Sequence, residues 1–61
     1  MFSSYDLEAA VAAYFGPEAQ VVRVYRAFEG DLRAVVWVPQ EGLEVRCSVS
    51  IVEGEIRLRE F

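Results

Sequence analysis

Sixty-one residues, 54% of them apolar and 13% aromatic, exclude disorder and restrict the chain to one small domain, 1–61, with a modest core. Ten acidic against six basic residues give a net charge of −4, which opposes non-specific adhesion to nucleic acid or to anionic membranes. One cysteine and no histidine exclude an internal disulfide and a structural zinc site, so good packing or oligomerisation must reinforce the core, and neither metal nor cofactor is expected.

The opening MFSSYDLEAA has no basic start and no apolar stretch of the secretion-signal kind. No apolar run, 34–38 included, comes near the roughly 20 residues of a membrane helix. A cytoplasmic setting, in which Cys47 stays reduced, and no membrane partner are therefore expected.

Helix punctuation brackets the first segment. Ser3 with Asp6 three residues on has the outline of a capping box, and Phe2 with Leu7 that of a hydrophobic staple. Leu7, Ala10, Val11, Tyr14 and Phe15 share one face at helical spacing. Gly16-Pro17 ends the helix, because glycine accepts a left-handed terminal conformation and proline cannot extend the ladder.

Beyond Pro17 the apolar period becomes two, and Glu-Gly pairs at 29–30, 41–42 and 53–54 divide the rest into a meander. Strands are predicted over 19–28, 32–38, 43–52 and 55–60, giving an α+β fold with one helix on a four-stranded antiparallel sheet. A four-residue loop, Pro39 to Gly42, pairs Val38 with Leu43; a two-residue turn at Glu53-Gly54 pairs Val52 with Glu55. A three-residue loop, Glu29 to Asp31, places Val22, Val24 and Phe28 on the helix-facing side, with Arg26 reaching water from an edge strand. Cys47 points into the core between Val45 and Val49.

That register puts Val21, Arg23, Tyr25, Ala27, Arg33, Val35, Trp37, Glu44, Arg46, Ser48, Ser50, Arg57, Arg59 and Phe61 on the opposite face. Trp37 is expected between Arg23 and Glu44, with Tyr25, Val35, Arg46 and Phe61 in the next row. A solvated face with arginines stacked on Trp37 and Tyr25 is one reading. Clustered exposed aromatics among arginines point instead to an interface formed by Tyr25, Val35, Trp37, Phe61, Arg23 and Arg46. The simplest occupant is a second copy, giving a homodimer; another protein partner is the alternative of the same class. Single-stranded nucleic acid, with bases on the rings and phosphates on the arginines, is the rival class. The negative net charge and the lack of a glycine-aromatic RNA signature weigh against it.

A helix about 10 Å wide is also narrower than a four-stranded sheet, so the inner face offers a second surface for dimerisation. Catalytic constellations are missing: without histidine no Ser-His-Asp or Cys-His arrangement exists, and Glu41, Glu44, Glu53 and Glu55 read as solvated turn residues. A non-enzymatic interaction module is expected.

The order of elements, with Val52-Glu53-Gly54-Glu55-Ile56 near the end, resembles in outline the small PepSY domain, a module usually found outside the membrane. The aspartate usual before that turn is replaced here by Val52 or Glu53, and the family's function is not carried over.

Overall fold

The computed structural model describes residues 4–61 as one helix and four strands. These are α1 (Ser4–Phe15), β1 (Gln20–Arg26), β2 (Leu32–Val38), β3 (Leu43–Val52) and β4 (Glu55–Glu60). The strands form a single antiparallel sheet in the order β1-β2-β3-β4, with the helix packed on one side. The α+β architecture expected from the sequence is the one observed. The cap and staple built on Phe2 and Ser3 lie outside the described residues.

Leu7 and Val11, one turn apart on α1, are buried against Ala34, Val36 and Val38 of β2 and Cys47 and Val49 of β3. Each fully buried valine contributes on the order of 1.5–3 kcal/mol relative to exposure. Phe15, Ala19, Val21, Val45, Ile56 and Leu58 pack around that centre. Tyr14, expected on the inward face, is instead exposed, with its ring edge on Phe15 at 4.7 Å. It lines an open groove beside Ile56 and Leu58, where the sheet ends at β4.

The helix stops as its punctuation requires. Gly16 takes φ 112° and donates its N–H to Ala12 O at 2.9 Å. Ala19 N then donates to Gly16 O at 3.1 Å, so the chain turns back at once and lays Ala19 and Val21 along the helix.

Two of the three hairpins have the expected register. Val38 pairs with Leu43 across a loop in which Gly42, at φ 67°, donates to Val38 O at 2.9 Å. Val52 pairs with Glu55 across Glu53-Gly54.

The first hairpin departs from expectation at both ends. Its loop spans 27–31 rather than 29–31: Ala27 N donates to Asp31 O at 2.7 Å and Gly30 N to Ala27 O at 2.8 Å, which makes Arg26↔Leu32 the closing pair. Phe28 therefore leaves the inner face and stands fully exposed in the loop. At the other end a bulge separates Val21↔Val36 from Arg23↔Val35. One extra residue in a strand inverts the facing of everything before it. Val21, assigned to the outer face, thus packs into the core, and Val22, assigned to the core, is the extruded residue at 53% exposure. Arg26, on the inner side as expected, donates from Nη1 to Gly30 O at 3.0 Å.

The helix does not cover the whole inner face. Val24, Leu43 and Ile51, at the margins of the sheet, remain exposed.

Candidate interaction surface

On the side away from α1, side chains follow the strand parity in cross-strand rows, of which three reach β2, and Ser50 with Arg57 and Val52 with Glu55 continue the face across β3 and β4. Gln20, Trp37 and Glu44 form the first; Arg23, Val35 and Arg46 the second; Tyr25, Arg33, Ser48 and Arg59 the third. Two expected neighbours are corrected: the longer 27–31 loop puts Tyr25 in the row of Arg33 rather than that of Val35, and that loop together with the bulge sets Trp37 beside Gln20 rather than Arg23. Phe61 extends the second row, donating its N–H to Arg46 O at 3.4 Å.

The indole of Trp37 belongs to this face, since Val36 and Val38 on either side of it point into the core. It retains 37% exposure and Phe61 retains 63%. Val35 behaves differently from the rest of the expected interface set. Although it lies on the outer face, it is only 6% exposed, flanked by Arg23 and Arg46, so it supports the surface without contributing contact area.

The arginines are organised by the rings. Arg23 lies over Tyr25 at 5.0 Å from its centroid, and Arg33 over Phe61 at 4.5 Å. Such contacts contribute about 0.5–1 kcal/mol each at exposed sites. The Arg33 Nε–H is buried with no hydrogen-bond acceptor, and its Nη2 reaches Asp31 Oδ2 only at 3.9 Å. Arg57 pairs with Glu55 at 3.3 Å. Gln20 and Arg33 were missed as members of the site, because the bulge and the stacking on Phe61 have no counterpart in a local sequence pattern.

The face thus carries Arg23, Arg33, Arg46, Arg57 and Arg59 against the carboxylates Glu44 and Glu55, in a chain of net charge −4. The charge is segregated by side of the sheet. A surface of this kind supplies flat aromatic area and fixed cations, the combination that meets carboxylates and apolar side chains together.

Cys47 lies beneath the opposite side of the sheet. Its Sγ is fully buried and donates weakly to Ala34 O at 3.7 Å. Burial, with a smaller contribution from the charge of Glu60, pushes its thiol above the usual 9.0. A thiol kept protonated and out of solvent is a poor nucleophile. Among the described residues no group of three or more His, Cys, Asp or Glu side chains is placed to hold a metal ion, and no helix is long and apolar enough to cross a membrane.

No protein-family model matches the chain. Neither the curated proteins nor the solved structures yield a significant match.

Proposed function

We propose that this domain is a non-catalytic protein-interaction module of the cytoplasm, which self-associates and docks a protein partner on the outer face of its sheet. The observation that carries the reading is the exposed Trp37 and Phe61 set among stacked arginines on one side of an acidic chain. Tryptophan, tyrosine and arginine dominate binding hot spots because they offer large rigid area together with hydrogen-bonding edges. The cytoplasmic setting is supported by a lone thiol.

The same arginines favour an acidic partner over stacking this face on its own copy. Two such faces opposed would set like charges against each other, at a cost in affinity. Self-association is then better served by a different surface.

Selection from a displayed peptide library tests the docking role. Wild type is expected to enrich acidic sequences that carry an aromatic residue, and a Trp37→Ser/Arg46→Glu variant is expected to enrich none of them. Equal enrichment by both proteins overturns the assignment of the face. Tight binding of an oligonucleotide, weakening steeply with salt, would replace the proposal with the nucleic-acid alternative.

A further inference from the structure

The sheet has two edges, and they are built differently. Along β1 the bulge at Val22 interrupts the ladder, and bulges are one means by which an edge is kept from pairing with another chain. β4 has neither bulge nor proline. It pairs with β3 without a break from Val52↔Glu55 to Cys47↔Glu60, and among the described residues no strand lies beyond it.

The hairpin turn determines which backbone groups of β4 point outward. Glu53 and Gly54 both have positive φ, 54° and 81°, the type I′ geometry in which the flanking pair Val52↔Glu55 is hydrogen-bonded. Alternation then directs the N–H and C=O of 55, 57 and 59 toward β3. Two observations agree with that phase: Phe61 N donates to Arg46 O, and Ser48 Oγ donates to Arg59 O at 3.4 Å. Ile56, Leu58 and Glu60 therefore present their backbone groups to the open edge.

We infer that this edge pairs antiparallel with the same edge of a second copy, about a twofold axis at Arg57, so that two sheets become one. The inference rests on the self-association proposed above and names its seam. The order Glu55-Ile56-Arg57-Leu58-Arg59 is complementary to itself when reversed. With Arg57 opposite its own copy, Ile56 opposes Leu58 and Glu55 opposes Arg59, each pair occurring twice. The Ile56 and Leu58 backbones then exchange hydrogen bonds in both directions.

Other registers are poorer. Paired residues must share a face, so the register moves only in steps that keep parity. Centring on Leu58 sets Arg57 against Arg59 and Ile56 against Glu60. Centring on Ile56 leaves only 55–57 inside the ladder, with Leu58 opposite Gly54. In the preferred register each central Arg57 is already held by its own Glu55 at 3.3 Å, so the like charges on the axis are flanked by carboxylates.

A groove of about 350 Å³ opens at this edge, between Ala10, Ala13 and Tyr14 of α1 and Ile56 and Leu58 of β4. The half-buried Ile56 and Leu58 lie on the helix side, where the copy's Leu58 and Ile56 would extend the apolar surface. Pairing at this seam leaves the Trp37 face of both protomers free on one side of the joined sheet.

Charge reversal tests the seam by sedimentation equilibrium. Glu55→Arg and Arg59→Glu, both at exposed positions, are each expected to weaken the dimer about tenfold or more, since each sets like charges opposite one another twice. The double variant restores both pairs and is expected to restore the wild-type constant. Equal dimerisation by wild type and both single variants overturns the seam while leaving self-association standing. A wild-type monomer at millimolar concentration removes both. Amide exchange of wild type supplies a reading that needs no variant: protection of Ile56 and Leu58 is expected to rise with protein concentration, and protection independent of concentration overturns the inference.

Discussion

Gln40, in the loop between β2 and β3, donates its Nε2–H to Phe15 O at 2.9 Å and so closes the C-terminal end of α1 from the far side of the chain. The carbonyls of a helix's last turn have no partners within the helix, and this contact satisfies one of them while tying the helix to the sheet. Removing it by Gln40→Ala is expected to cost about 0.5–1.5 kcal/mol. Thermal unfolding followed by circular dichroism reads this as a fall in Tm of roughly 4–8 °C per kcal/mol for a domain of this size.

Gly16 is constrained by the same contact. Its φ of 112° is poorly tolerated by other residues, and a Cβ there would stand 2.9 Å from Gln40 Nε2. Gly16→Ala should destabilise the fold by about 1–3 kcal/mol. In a Gly16→Ala/Gln40→Ala double variant the two costs should fall short of additivity, because the steric part disappears with the amide. Strict additivity in denaturant melts would show that backbone strain alone is responsible.

The core depends on two residues of α1. Leu7→Ala empties a buried site against β2 and β3 at a cost of about 2–5 kcal/mol. A chain this short has on the order of 3–9 kcal/mol in total. A large unfolded fraction at 37 °C is expected by circular dichroism, and a variant that melts with wild-type Tm would mean that the helix is not packed where described.

Cys47 makes a prediction in pH. Because burial raises its thiol above the usual 9.0, the folded state holds the proton more tightly than the unfolded chain does. This contribution to stability is fully present below pH 9.0 and is lost as pH rises through the folded value. Wild type should lose stability faster than Cys47→Ala between pH 8 and 10 in urea titrations (about two pH units spanning the thiol's ordinary range). Folded protein should also react with a thiol reagent only as fast as it opens.

On the outer face, Arg33 and Phe61 should be coupled. A double-mutant cycle with Arg33→Ala and Phe61→Ala is expected to return about 0.5–1 kcal/mol for the stacked pair. Trp37→Ser, by contrast, should change stability by less than about 1.5 kcal/mol, since the ring lies outside the core and keeps much of its exposure. A loss of several kcal/mol in a chemical melt would place the indole among the stabilising contacts rather than the binding ones.

Much of this arrangement is local chemistry and was legible in the chain. Gly16-Pro17 ends a helix wherever it occurs, the 39–42 and 53–54 turns set their hairpins because loop length and positive φ determine register, and strand parity then sends Trp37 outward and Cys47 inward. The first hairpin was not legible, because nothing in Val21-Val22-Arg23 marks which valine faces the helix. Either could pack, and the choice depended on how closely the short 16–19 connection brings the chain back to Val11 and Phe15. Only the folded molecule decided that Val21 goes in, that Val22 is extruded, and that Trp37 consequently stands beside Gln20. Turn chemistry acts over a few residues and is written in them, whereas a bulge resolves a competition between surfaces that meet only in three dimensions.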